Sequence, residues 1–270
     1  MVISLSIFAV LVLFYLARKV YLSRQYGDEV ISLFANSKTI AEQLFDYAQL
    51  SGMPEPVQRY FKYALKQGQS YISYARIKHD GQFKTGADKD WVNIQGEQYA
   101  TTQKPGFIWK GTTTMFTARD IYILDKGRLV VELFGLIKIA GGKGKAYDQG
   151  ELLRWLGESV LYPTNLLPGR NLQWSAIDAH TARLTFSYND LTLSYRVTFN
   201  DAGEIVEMET KRYMDSSHLE TWIIKMANYR EMNDVMVPTS FEVIWRLKEG
   251  DLCYAKFNVN EIEYNKPERF

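Results

Sequence analysis

The sequence is poor in the residues that build covalent or metal-bound scaffolds. Cys253 is the only cysteine, so an intrachain disulfide and a thiolate zinc site are both excluded. The three histidines, His79, His180 and His218, are far apart, and no His-Glu-x-x-His motif occurs. The formal net charge is only +1, which argues against a surface that binds nucleic acid. We therefore expect no metal, no cofactor and no nucleic-acid partner.

Familiar catalytic and nucleotide-binding motifs are lacking too. GGKGK (141–145) resembles the glycine-rich part of a phosphate-binding loop, but Ala146 stands where a P-loop requires Ser or Thr. No Gly-x-Ser-x-Gly nucleophile elbow occurs. We interpret GGKGK as a flexible loop and expect the chain not to be an enzyme.

Hydrophobic and aromatic residues, in contrast, are abundant. They make up 46% and 14% of the 270 residues. This content is sufficient for a full core and is typical of aromatic-rich strands. No internal repeat, low-complexity tract or second domain boundary is visible. The chain is therefore expected to contain one large folded domain.

The longest apolar run lies at the N-terminus. Residues 1–17 carry no charged side chain, and Arg18, Lys19 and Arg24 follow them. A run of about 17 residues is at the lower limit for a membrane span, and the basic side chains can snorkel to the interface. A cleaved signal peptide would instead begin with basic residues. The pattern predicts a single-pass transmembrane anchor over residues 1–25, with the lipid bilayer as its partner.

A helical pedestal is predicted to connect this anchor to the main domain. Apolar residues recur at helical spacing over residues 39–50 and again over residues 53–65. Early prolines in the second segment suit the start of a helix. The pedestal would occupy residues 26–70.

From about residue 71 the period of the apolar residues changes to two. LTLSYRVTF (191–199) alternates throughout, and similar segments separated by short turns predict roughly ten to twelve antiparallel strands. The β domain would occupy residues 71–270, with one helical insertion at 148–162. The predicted fold class is mainly β. It is a large curved antiparallel sheet or unclosed barrel with a helical insertion or lid, preceded by a transmembrane helix and two short helices.

The helical insertion carries three charged residues on one face. Glu151, Arg154 and Glu158 are spaced at i, i+3 and i+7. Two carboxylates could act as an acid–base pair, but an arginine between them would keep both ionised. We interpret them as a solvated ion-pair ladder. The apolar face and TNLLPG (164–169) suit a lid over an apolar cavity, and a helix packed on the sheet is the alternative.

Several segments resemble a bacterial family known only as a domain of unknown function. They include MPEPVQRYF (53–61) and DQGELLRWLGESVLYPTNLLPG (148–169). The most distinctive motifs are the helix that ends in Tyr-Pro and the Leu-Leu-Pro turn, both in the second segment. The matching segments keep their order through most of residues 53–264. This resemblance implies no established activity and no catalytic residue.

The C-terminal half is also similar, more weakly, to the carrier superfamily typified by the lipoprotein localisation factors. FNDAGEI (199–205) and NYREMNDVMVPTSFEV (228–243) carry this resemblance. It implies an unclosed antiparallel barrel with a helical lid that holds acyl chains. It also implies an extracytoplasmic domain, whereas the basic residues that follow the apolar run favour a cytoplasmic one. The side of the membrane therefore stays open.

These observations lead to a functional prediction with one alternative. The β half-barrel is predicted to bind a hydrophobic ligand, either a lipid or an acylated protein. The alternative is a non-catalytic envelope scaffold or interaction protein with a filled core. The candidate ligand-binding residues are large apolar side chains: Trp109, Trp155, Tyr162, Leu166, Leu167, Trp174, Trp222 and Trp245. Four of them would lie at the mouth of the cavity: Trp155, Tyr162, Leu166 and Leu167.

Overall fold

A computed structural model describes residues 2–270, with side chains from residue 12 onward. The helices are α1 (Val2–Ala35), α2 (Glu55–Ala64) and α3 (Lys145–Gly157), with 3-10 helices at Tyr47–Leu50, Glu158–Leu161 and Pro163–Leu166. The strands are β1 (Tyr74–Phe83), β2 (Val92–Thr101), β3 (Gly106–Thr112), β4 (Phe116–Ile123), β5 (Lys126–Leu133), β6 (Ile137–Lys143), β7 (Leu172–Asp178), β8 (Thr181–Tyr188), β9 (Leu191–Phe199), β10 (Ile205–Tyr213), β11 (Leu219–Met232), β12 (Val235–Leu247) and β13 (Gly250–Tyr264).

Among these residues, thirteen strands form one antiparallel sheet made of two meanders. The strand order is β6-β5-β4-β3-β2-β1-β13-β12-β11-β10-β9-β8-β7. The first and last strands pair in the middle and join the two halves, so β6 and β7 are left as free edges. The prediction of a mainly β fold with an unclosed, curved antiparallel sheet is confirmed. The sheet has more strands than expected.

Strict alternation of apolar residues explains why the strands form where they do. In β9, Leu193, Tyr195 and Val197 are buried while the residues between them are more exposed. Gly203, with a φ of 90°, lies in the turn that returns the chain into β10. Only glycine adopts this backbone conformation without strain. Short turns of this kind enforce antiparallel neighbours along each meander.

The helical insertion is the single long crossover among the described strands. It leaves the edge strand β6 and crosses the concave face of the sheet to reach β7 at the opposite edge. Leu152, Trp155 and Leu156 on α3 are almost completely buried. The predicted helix at 148–162 is present, but α3 begins and ends earlier, and a 3-10 helix continues the segment. GGKGK was interpreted as a loop, and this is wrong, because residues 141–143 belong to β6 and α3 follows directly.

The region before the sheet contains one of the two predicted short helices. The helix α2 (Glu55–Ala64) lies within the predicted segment 53–65, and its Val57, Tyr60 and Phe61 are fully buried. The helix predicted at 39–50 is wrong. Phe45 instead exchanges backbone hydrogen bonds with Gln69 and Gly68, and only a 3-10 turn follows. Long-range backbone pairing therefore overrides the local helical pattern.

The C-terminal part of α1 packs on the face of the sheet opposite to α3. Tyr26, Val30, Leu33 and Phe34 form a second apolar cluster with side chains from β1 to β4. Among residues with described side chains, no helix is long and apolar enough to cross a membrane. Residues 1–11 of the predicted anchor lie outside those residues.

Candidate functional site

A cavity of about 620 Å³ lies between the concave face of the sheet and α3. Its volume falls in the range of about 300–1,000 Å³ that is typical of ligand pockets. Most of the wall is apolar and comes from strands in the centre of the sheet. Representative lining residues are Ile94, Trp109, Trp222, Phe241, Val243 and Trp245.

The cavity opens at one rim of the sheet. Its exposed lining residues include Thr85 in the β1–β2 connection, Ile139 on edge strand β6 and Met214 in the β10–β11 turn. The inner end is closed by the segment that follows α3. Leu161 lines this end, and its carbonyl oxygen accepts a hydrogen bond from the Tyr264 hydroxyl. We call the opening at this rim the mouth of the cavity.

A histidine and a tryptophan form part of the wall. Trp109 donates its indole N–H to Nε2 of His79 at 2.7 Å, and both side chains are buried. Two glycines on neighbouring strands leave room for this pair. A Cβ at Gly96 would lie 1.9 Å from His79 Nε2, and one at Gly111 would lie 2.4 Å from the Trp109 ring. The pair therefore depends on the two glycines, which leave space for the rings, as well as on the hydrogen bond between the rings.

Arg154 lies at the centre of a buried charged cluster on the α3 side of the cavity. Its Nε donates to Glu158 Oε1 at 2.7 Å, and its Nη1 donates to Asp120. Gln98 donates to the second oxygen of Glu158 at 2.7 Å. The guanidinium also lies 4.7 Å over the Trp109 ring. The predicted solvated ladder is wrong, because Arg154 is only 8% exposed and faces the sheet.

Glu151 belongs to the same cluster but has a different partner. Arg212 approaches its Oε1 at 3.5 Å and donates from Nε to the Gly150 carbonyl oxygen at 3.0 Å. Oε2 of Glu151 is buried and has no hydrogen-bond partner among the described residues. Burial, together with the charge of Asp120, raises the pKa of Glu151 to about 8. This carboxyl group is therefore largely protonated at neutral pH.

The sequence places the chain in a family. The model of a family of unknown function, DUF6544, matches residues 43–257. The chain belongs to this family. The match confirms the resemblance seen in the sequence, which also pointed to a family without a known function. No curated protein matches the sequence.

Two solved structures of bacterial proteins match most of the chain. One is described as an outer membrane lipoprotein-sorting protein domain from Vibrio parahaemolyticus. It has 8% identity and a TM-score of 0.43, and the match covers 78% of this chain and 92% of that chain. Another is a LolA superfamily protein from Nitrosomonas europaea, with 12% identity, a TM-score of 0.37 and the same two coverages. Both agree with the weaker resemblance seen in the sequence.

The structure separates the eight candidate residues into two groups. Three tryptophans line the cavity: Trp109, Trp222 and Trp245. The other five do not line it: Trp155, Tyr162, Leu166, Leu167 and Trp174. The first four were expected at the mouth, and the structure instead places them in the buried core. Trp174 donates to the Leu166 carbonyl oxygen at 2.9 Å. A ligand-binding role for any of the eight stays a prediction.

The polar residues that the strands contribute to the cavity were not singled out from the sequence. His79, Gln98, Asp120 and Arg212 all line it. Each occupies an inward position of its strand, as Asp120 does between Ala118 and the buried Tyr122. A polar residue at an inward position of an alternating strand is the signal that could have identified them.

Proposed function

We propose that this protein binds a ligand with an acyl chain, such as a lipid or an acylated protein, in the cavity beneath α3. The observation that carries the proposal is the cavity itself, which is about 620 Å³, mainly apolar and open at its mouth. A scaffold with a filled core would not need such a space. The proposed role is binding rather than catalysis.

The lining of the cavity favours an extended hydrocarbon. Phe241, Val243 and Trp245 on β12 and Ile94 on β2 present apolar side chains to the same space. Each methylene group that leaves water for such a surface contributes roughly 0.8 kcal/mol. An acyl chain of moderate length would therefore bind without any polar contact.

The charged cluster supports a ligand with a polar end. Arg154 uses its Nε and Nη1 groups, and Arg212 uses its Nε and Nη2 groups, for bonds within the protein. The remaining amino group of each arginine makes no hydrogen bond to any residue with a described side chain. Both arginines line the cavity. Arg154 is already paired with Asp120 and Glu158, so the ligand group expected beside it is an ester, amide or other acceptor with little net charge.

Association with a membrane belongs to the same proposal. The apolar sequence of residues 1–17 continues into the described part of α1, where Leu13, Phe14 and Leu16 are more than half exposed. Large apolar side chains on an exposed helix are unfavourable in water. We therefore retain residues 1–25 as the proposed anchor, with the side of the membrane left open.

Photolabelling tests the proposed ligand site. The full chain in phosphatidylcholine vesicles is incubated with a fatty acid that carries a photoactivatable group, and labelled peptides are mapped by mass spectrometry. We expect label on the β12 peptide that contains Phe241 and Trp245, and excess unlabelled fatty acid should prevent it. Label confined to residues 1–25 would contradict the proposal and favour the scaffold alternative.

A further inference from the structure

Exposed apolar side chains surround the mouth of the cavity. Met115 lies in the β3–β4 turn, Phe134 in the β5–β6 turn, and Ile137 and Ile139 on edge strand β6, and each is more than half exposed. The two turns are adjacent, because the Phe134 backbone N–H donates to the Met115 carbonyl oxygen. We call these four residues and Met214 the mouth rim. Contiguous exposed apolar groups of this kind mark interaction surfaces.

The α1 helix points toward the same end of the sheet. Near its C-terminus, Leu33 packs at the start of β3, where a Cβ on Gly106 would lie 2.8 Å from the leucine side chain. Two turns earlier, the Tyr26 ring lies 4.7 Å from the Lys110 ammonium, close to the end of β3. Followed backward from Leu33, α1 therefore runs along β3 toward the turn that contains Met115.

The distance along α1 from Tyr26 to Arg18 is similar to the distance from Lys110 on β3 to the mouth rim. From Tyr26 back to Arg18 is a rise of about 12 Å along a helix. From Lys110 to the Met115 turn is roughly 10–16 Å along a strand and its turn. Arg18 and Lys19 therefore lie near the level of the mouth rim. The exposed apolar side chains of α1 before Arg18 lie beyond it.

We infer that the mouth rim docks on a lipid bilayer, beside the exposed apolar part of α1. A bilayer fits better than a protein partner because the helix and the turns present apolar groups to one common plane, with Arg18 and Lys19 at the depth where basic side chains meet headgroups. This inference rests on the proposed function, in which the cavity binds an acyl chain. A cavity that opens onto the bilayer exchanges an acyl chain with it without passing the chain through water.

The opposite rim provides a matched control. Leu124 lies in the β4–β5 turn, and Phe134 lies in the β5–β6 turn. Both are 55% exposed, and both have a positive φ, 53° for Leu124 and 52° for Phe134. The two residues differ in their place: Phe134 is at the mouth, and Leu124 is at the far end of the same strand. A substitution at either residue should therefore change the stability of its turn by a similar amount.

The test places a fluorescent probe at each position. In a Cys253→Ser chain, Phe134→Cys and Leu124→Cys are labelled with an environment-sensitive dye, and the full chain is reconstituted into phosphatidylcholine vesicles. Lipids with a spin label near the headgroup should quench the dye at residue 134 and leave the dye at residue 124 unquenched. Equal quenching at both positions, or none at residue 134, would overturn the docking.

The two proposals fail in different ways in this design. Photolabelling of the cavity reports ligand binding, and quenching at residue 134 reports docking. Quenching at residue 134 without photolabel in the cavity would support docking of the mouth rim and overturn the proposed ligand site. Photolabel without quenching would keep the ligand site and overturn the docking. A further variant, Phe134→Asp, should slow transfer of a fluorescent fatty acid out of vesicles, whereas Leu124→Asp should not.

Discussion

The indole of Trp109 donates a hydrogen bond of 2.7 Å to Nε2 of His79 inside the cavity wall. Nδ1 of the same ring lies 3.2 Å from the carbonyl oxygen of Asp80. Since Nε2 accepts, Nδ1 carries the proton and the ring is neutral. Burial, aided by the positive charge of Arg154, lowers the pKa of His79 to about 4. Protonation of His79 in the cavity wall should therefore lower the stability of the folded protein.

The first prediction follows from this low pKa. The unfolded chain binds a proton at His79 at a higher pH, about 6.5, than the folded chain does. The free energy of unfolding should therefore fall as pH is lowered from about 6.5 to 4, by about 3 kcal/mol from this group. Urea unfolding at several pH values measures it. His79→Gln, which keeps an acceptor for Trp109, should flatten this dependence.

Glu151 should show the opposite dependence on pH. Its pKa is raised to about 8 in the folded protein by burial, so its contribution to stability is complete below the unfolded value near 4.5 and is lost as pH rises through 8. Glu151→Gln removes this loss. The variant should gain stability relative to the parent between pH 6 and pH 9 in urea melts. A constant difference over that range would show that Glu151 is ionised throughout.

Glu158 should be far more sensitive to substitution than a solvated carboxylate. One of its oxygens accepts from Arg154 and the other from Gln98, both at 2.7 Å. Glu158→Gln leaves the buried guanidinium without one of its two charged partners, and we expect a loss of roughly 1–3 kcal/mol. Glu55→Gln, on the exposed ion pair with Arg59, is the matched control and should change stability little.

The sequence predicted the strands better than their assembly. Alternation over residues 191–199 and its neighbours identified most hairpins, because each antiparallel turn is a local event. The pairing of β1 with β13 joins residues such as Ala75 and Tyr264, and no local pattern encodes it. That pairing joins the two meanders into one sheet. Arg154, which the helical pattern placed in solvent, is buried because α3 packs on the sheet and brings the guanidinium beside Asp120.

Two further errors have local physical causes. The Gly141 backbone lies so close to β5 that a Cβ would be 2.4 Å from the Leu129 carbonyl oxygen. This edge strand therefore requires glycine, and its glycine-rich sequence was interpreted as a loop. Strict alternation along β13 predicts that Cys253 shares a buried face with Ala255. A bulge opposite Val243 and Ile244 turns Tyr254 as well as Ala255 toward the cavity and leaves Cys253 only half-buried.

Deletions within α1 should separate anchoring from folding. We expect the full chain to stay in the membrane after carbonate extraction and a chain without residues 1–25 to be released and folded. A chain without residues 1–36 should be destabilised. It lacks the apolar cluster around Leu33 and the ion pairs of Glu29 with Arg119 and Arg128, at 2.9 and 2.8 Å. Thermal unfolding compares the two truncated proteins. Equal stability would contradict the packing of α1 on the sheet.

A larger side chain at Ala118 should exclude the ligand while preserving the fold. Ala118 lines the cavity from β4 and is only partly buried, so the ring of Ala118→Phe can enter the empty space. Filling a cavity commonly adds about 0.5–2 kcal/mol of stability. We therefore expect less fatty-acid photolabelling of the cavity with no loss in urea stability. Ala176→Phe on the exposed part of β7 is the control and should label like the parent. Undiminished labelling of a stable Ala118→Phe protein would place the acyl chain elsewhere.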